Sequence, residues 1–178
     1  MARFALSAIG ADRPGIVAGV SGALVELGCN LEDSTMTILQ GHFAILLVVS
    51  GPDERSAADL EAALEPVIRR FELVATVRPF DDATSSASPG VPYTVSVHGA
   101  DRTGIVHAVT KALAEVDGNV ADLATHLVGT PDAPVYVMTL RVTLPGGDAT
   151  AAAVTHVRDA AESLGVHCSV HPDESDTL

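Results

Sequence analysis

The stretch Gly10-Ala11-Asp12-Arg13-Pro14-Gly15-Ile16-Val17 returns 89 residues later as Gly99-Ala100-Asp101-Arg102-Thr103-Gly104-Ile105-Val106, and that recurrence decides the fold. Between Ser7–Asp33 and Ser96–Asp122 the gapless match holds 14 identities in 27 positions. Self-similarity of this strength marks a duplicated structural unit. The chain is therefore read as one module written twice.

In the first copy, Arg3 to Ile9 is strand-like, and Pro14 to Leu27 sets Ile16, Val17, Val20, Leu24 and Leu27 on one helical face. Pro14 suits a first helical position and Gly28 a left-handed end. Asn30 to Leu39 and His42 to Ser50 pair as a hairpin across Gln40-Gly41. Ser56 to Arg70 is a second helix with Leu60, Leu64, Val67 and Ile68 inward, and Glu72 to Phe80 a last strand. The second copy repeats the order: strand Tyr93 to His98, helix Gly104 to Val116, and strands Asn119 to Val128 and Val135 to Leu144 around a Gly129–Pro134 loop. A helix from Asp148 to Leu164 and a strand from Val166 to His171 complete it. The predicted class is α+β: two tandem ferredoxin-like βαββαβ domains, each a four-stranded antiparallel sheet with two helices on one face and the other face left for a partner.

The expected domains are residues 1–80 and 93–171, separated by a linker at 81–92 and followed by an acidic tail at 172–178. Asp81 to Pro92 is rich in Asp, Ser and Pro and reaches about 20 Å as a random coil, enough for two small domains to lie side by side. Among 178 residues, 47% are apolar, which supports buried cores and excludes bulk disorder. Ten Lys plus Arg against 23 Asp plus Glu give a net charge of −13, shared between the copies with no basic patch. Direct contact with nucleic acid is therefore not expected. With no Trp, two Tyr and four Phe, base-stacking platforms lack material. Two cysteines make no disulfide framework, and the longest apolar run, Phe43 to Val49, is too short for a bilayer. The expectation is a cytoplasmic protein with no targeting segment, no membrane association, no cofactor and no metal.

Identity between the copies concentrates in the first strand–helix loop rather than in the core. Gly15 and Gly104 have no side chain to block a helix N-terminus, whose unpaired N–H groups and dipole favour a carboxylate or phosphate. Asp12 and Asp101 beside it repel a simple anion but complement a zwitterion. An α-amino acid has that shape. The competing reading is structural: Asp caps the helix and Gly permits a tight turn. Asn30 and Asn119 begin the second strands, where a two-way amide can meet a ligand or a neighbouring subunit, or merely tolerate turn geometry.

Asp12-Arg13-Pro14-Gly15-Ile16-Val17 followed by Gly28-Cys29-Asn30-Leu31 resembles the signature of ACT domains, small regulatory modules that bind amino acids and pair through sheets or helices. Two of them in one chain of this length, with the run Asn30-Leu31-Glu32-Asp33-Ser34, resemble the glycine cleavage system transcriptional repressor group. The resemblance implies ligands at Asp12, Arg13, Gly15, Ile16, Asn30 and Leu31, and at Asp101, Gly104, Ile105, Asn119 and Val120. It departs from the pattern at Thr103, where proline is usual, and at Asp117-Gly118 against Gly28-Cys29, so the first copy is the better candidate site. The implied protein is a non-enzymatic regulator that senses a small amino acid, glycine or serine favoured. It signals through domain association, as a homodimer with a protein partner.

The fold also hosts acylphosphatase-type hydrolases, with Arg13 and Asn30 cast as phosphate cradle and water-positioning residue; Asp12 would repel that phosphate. An accessory subunit of an amino-acid enzyme is a further alternative on this fold. His167 and His171 share one face of the last strand, but lack a third metal ligand. His98 and His107 flank the second loop where the first copy has Ile9 and Ala18, so the two sites are expected to differ in specificity. Cys29 is read as small core packing. Gly19 and Gly22, with Ala18 and Ser21, give the first helix a smooth outward side suited to another helix.

Overall fold

The computed structural model describes residues 1–80, 90–130 and 132–173. They form β1 (Ala2–Ala11), α1 (Ile16–Glu26), β2 (Asn30–Leu39), β3 (His42–Gly51), α2 (Ala57–Phe71) and β4 (Val74–Pro79), followed by β5 (Val91–Gly99), α3 (Ile105–Glu115), β6 (Asn119–Thr130), β7 (Ala133–Leu144), α4 (Ala149–Glu162) and β8 (His167–Pro172). Two antiparallel sheets result, ordered β2-β3-β1-β4 and β6-β7-β5-β8. The chain is thus two tandem ferredoxin-like βαββαβ units, and it divides compactly into Met1–Ser86 and Ala87–Leu178.

In the first unit, alternate residues of β1 and β3 (Phe4, Leu6, Ala8; Phe43, Ile45, Leu47, Val49) are buried beneath Ile16, Val20 and Leu24 of α1 and Leu60 and Leu64 of α2. The period of two in the strands and of about 3.6 in the helices meet at this layer. The second unit repeats it with Val95, Val97, Met138, Leu140 and Val142 beneath Ile105, Val109, Leu113, Ala153 and Val157. A two-residue turn with Gln40 at φ 51 and Gly41 at φ 79 closes the first hairpin; both residues must be left-handed there, which suits glycine at the second place.

Several boundaries differ from the sequence reading. Pro14 does not open α1: Gly15 is the N-cap at φ 97, and this left-handed backbone places Pro14 outside the helix. Val91 and Pro92, expected in the linker, begin β5 opposite Leu144 and Thr143. Residues 81–89 of that linker lie outside the described residues. Pro172, assigned to the tail, pairs with Tyr93, while 174–178 lie outside the described residues. The expected Gly129–Pro134 loop is mostly strand, since pairing runs through Thr130 and Ala133. The second hairpin is consequently longer, with arms of 12 residues against 10 in the first. Gly19 is not on the outward side of α1: a Cβ there would lie 3.1 Å from Val67 and 3.3 Å from Phe71, both on α2. It lets the two helices of one unit approach, and only Gly22 faces open space.

Candidate functional site

In the first unit β1 ends at Ala11 because the chain must rise to the helix layer. The Asp12 N–H donates to the Gly41 carbonyl at 2.9 Å, so the loop hangs from the β2–β3 turn. Arg13 pairs through its guanidinium with the Glu72 carboxylate. Gly15 then turns left-handed, and α1 starts with no side-chain hydrogen bond at its cap. The capping role considered for Asp12 is therefore not taken up. Gly15 lies close to α2, since a Cβ on it would sit 3.6 Å from the Phe71 ring. Ile16 is 2% exposed and serves the core.

Asn30 opens β2 opposite Ser50, exposed at the sheet edge. A bulge follows between Leu31 and Asp33, and the displaced Glu32 accepts from Arg3 Nε at 2.8 Å. Bulges re-aim side chains and recur beside functional sites. Leu31 borders a cavity of about 170 Å³ between α1 and β2, with Val17, Val20, Met36, Ile45 and Leu47 as apolar walls and Ser21, Ser34 and Thr35 as polar ones. Asp12, Arg13, Gly15, Ile16 and Asn30 do not line that cavity.

The second unit builds the same loop with different surroundings. Arg102 Nη1 donates to the Leu164 carbonyl at 3.0 Å, so the arginine again ties the loop to the end of the second helix. Gly104 caps α3 at φ 98, also without a side-chain cap, but a Cβ on it would meet nothing within 4 Å. The opening there is a depression of about 590 Å³ lined by Arg102, Gly104, Ile105, Val106, His107, Thr110 and Tyr136. Tyr136 has its phenol pushed above the usual tyrosine range, by burial first and then by the negative charge of Asp101. Ile105 is 1% exposed and belongs mainly to the core. Asn119 stands opposite Thr143, and a bulge between Val120 and Asp122 matches that of the first unit.

Of the sequence candidates, the structure gathers Gly104 and Ile105 at one cavity and Leu31 at another. Asp101 acts on Tyr136 from nearby, while Asn30, Asn119 and Val120 lie along the bulged strand starts. Sequence reasoning missed Tyr136 and Thr110. Tyr136 was hidden by the longer second hairpin, because it stands opposite Gly99 as Phe43 stands opposite Gly10, an offset of 93 rather than 89.

His98 and His167 pair across β5 and β8 with ring centroids 4.7 Å apart. Among the described residues there is no group of three or more His, Cys, Asp or Glu placed to hold a metal. Cys29 and Cys168 are buried free thiols, and burial pushes both above the ordinary cysteine value. Such thiols are poor nucleophiles. In the hydrolase alternative Arg13 would cradle phosphate, but its guanidinium faces Glu72. No helix among the described residues is long and apolar enough to cross a membrane.

Two βαββαβ units with glycine-capped first helices define a small ferredoxin-like module built in tandem, and comparison with known proteins places it. The ACT domain profile matches residues 3–78. The UPF0237 protein SMU_72 of Streptococcus mutans is 42% identical over 60 residues, covering 34% of this chain and 68% of that relative. The chain belongs to the ACT-domain family. The glycine cleavage system transcriptional repressor of Escherichia coli is 41% identical over 46 residues, 26% of this chain and 24% of the repressor. A crystal structure of an unknown protein from Galdieria sulphuraria aligns with a TM-score of 0.83 at 29% identity, over 97% of this chain and 98% of that one. The tandem arrangement is thus shared along the whole length of another protein.

Proposed function

We propose that the protein is a non-enzymatic sensor of a small amino acid, which binds at the strand–helix loops and signals by changing how domains associate. The observation that carries this is the cap built twice: Gly15 and Gly104 at φ 97 and 98, with no side-chain hydrogen bond on the helix start and an exposed Asp three residues before each. Open amides suit an α-carboxylate and the Asp suits the adjacent ammonium. Asp12, Arg13, Gly15, Ile16, Asn30 and Leu31, with Asp101, Gly104, Ile105, Asn119 and Val120, are the proposed site positions. In each unit Ile16 or Ile105 contributes its backbone, since its side chain is buried.

Signalling requires only that one arrangement of domains bind ligand more tightly than another. The edge strands β2 and β6 are the surfaces offered for association in a homodimer. Regulation of the glycine cleavage system follows the name of the Escherichia coli relative. With a net charge of −13 it would act in the cytoplasm through a protein partner and not by holding DNA. Calorimetric titration with the standard amino acids, glycine and serine first, tests the reading. A bound amino acid at a hundredfold excess over Kd would stabilise the fold by about 2.7 kcal/mol. No heat and no thermal shift with any of them would end it.

A further inference from the structure

The two loops share their glycine and their aspartate, yet what surrounds them differs in four ways. Gly15 sits against the Phe71 ring, whereas Gly104 faces open space. Phe43, 1% exposed, is fixed in the first core, while its counterpart Tyr136, which carries a hydroxyl, lines the depression beside Gly104. Ala18 in the first helix is replaced by His107, which lines the same wall. A cavity of the first unit lies between α1 and β2, has mostly apolar walls and is about 170 Å³, against about 590 Å³ for the depression in the second.

We infer that the second unit is the ligand-binding one, and that Tyr136 and His107 select an amino acid whose side chain ends in a hydrogen-bond acceptor, a carboxylate or a carboxamide. This rests on the amino-acid reading above and departs from the preference for glycine or serine. The chemistry of the wall decides the class. Arg102 can only donate, Tyr136 and His107 can both donate, and Asp101, whose charge acts on Tyr136, is not among the residues that line the depression. Donors lining an open depression reward a ligand with more than one acceptor group. Glycine has no side chain to meet them and fills little of a space this large. A site built around hydrogen-bond donors rejects ligands that leave them unpaired, so discrimination against alanine, leucine and glycine is expected to be large.

The test is calorimetric titration of the full chain with glutamate, aspartate, glutamine, asparagine, serine, glycine, alanine and leucine, repeated on Tyr136→Phe and His107→Ala. Phe at this register already stands in the first unit as Phe43, so Tyr136→Phe keeps its packing, and a melting curve verifies the fold. The expected result is one ligand per chain, at least tenfold tighter for an acidic or amide side chain than for glycine, and at least tenfold weaker in either variant. Two ligands per chain, glycine as the tightest ligand, or affinities unchanged in both variants would overturn the inference while leaving an amino-acid sensor standing. No binding of any of the eight, or of the remaining standard amino acids, would overturn both.

Discussion

Arg13 and Glu72 form an ion pair that ties the glycine-capped loop to the turn between α2 and β4. Arg102, at the matching place, ties its loop to the Leu164 carbonyl. One arginine position with two kinds of acceptor makes holding the loop a task common to both units. With side chains 45% and 73% exposed, the Arg13 pair is screened and contributes less than about 1 kcal/mol. Arg13→Ala is therefore expected to move the urea midpoint only slightly. Glu72 also sits left-handed at φ 55, where a Cβ costs about 1 kcal/mol. Glu72→Gly should exceed Glu72→Ala in stability by about that amount. Equal midpoints for the two would show that the turn is not strained.

Gly51 is fixed by Cys29. A Cβ on Gly51 would lie 2.7 Å from the Cys29 sulfur, closer than any real contact. Gly51→Ala should cost about 1–3 kcal/mol as an overpacked core position. In a Cys29→Ala background the obstruction is gone and most of that cost should vanish. A double-mutant cycle by urea unfolding measures the coupling, and strict additivity would exclude the contact.

Gly19 and Gly22 make opposite predictions on one helix. Replacing Gly22 with Ala places a methyl in open space and should stabilise by about 0.5–1 kcal/mol. At Gly19 the methyl presses on Val67 and Phe71, so the helix gain is offset by crowding and Gly19→Ala should be the less stable of the two. Thermal melts of the single variants decide it, and the reverse order would place the α1–α2 contact elsewhere.

The elements themselves were legible because each has a strong period and a punctuating residue: Leu60 and Leu64 mark the buried face of α2, and Gly28 ends α1 at φ 72 as its position implies. The left-handed turn at Gly15 was not legible as a cap, because Pro14 just before it is also a residue that starts helices. Gly22 faces outward as read, but Gly19 was misplaced, since a 3.6-residue period does not say where a second helix lies. Nor could sequence pair Arg13 with Glu72, whose counterpart contact uses a backbone carbonyl. Tyr136 escaped because the lengthened β6–β7 hairpin shifts the repeat out of register just before it.

The start of α2 carries a pH signature. Ser56 accepts from the Asp59 N–H, and both its hydroxyl and its N–H donate to the Asp59 carboxylate, at 2.7 and 2.8 Å. These bonds hold the Asp59 carboxyl below the ordinary aspartate value. A carboxylate with a depressed folded pKa stabilises the fold above its unfolded value, about 3.9, and that contribution is lost as pH falls through the lower folded value. Ser56→Ala removes the first cause, the hydroxyl bond, together with the side-chain cap on the Asp59 N–H, keeps the backbone bond from residue 56, and should cost about 1 kcal/mol near neutrality. The gap between the variant and the parent should narrow below about pH 4. A gap that stays constant down to pH 2 would mean that the capping box is not the source.

β2 is an edge strand whose ten residues are all exposed, and from Ser34 onward it carries no charge. Met36 and Ile38 are 48% and 52% exposed, and neither belongs to the core cluster. An uncharged edge that exposes Met36, Ile38 and Leu39 among Ser34, Thr35 and Thr37 presents unpaired N–H and C=O groups to any matching strand, and charged side chains are the usual protection against that. If copies of this chain associate along β2, the parent protein should run at twice 18.2 kDa in light scattering. The double variant Met36→Lys with Ile38→Lys should run at the single-chain mass, with a melting temperature close to the parent's once dimer linkage is removed by dilution. The ligand's effect on mass should disappear with it, because coupling requires the association that the charges prevent. A parent already at single-chain mass, or a variant still at twice that mass, would move the association surface off β2.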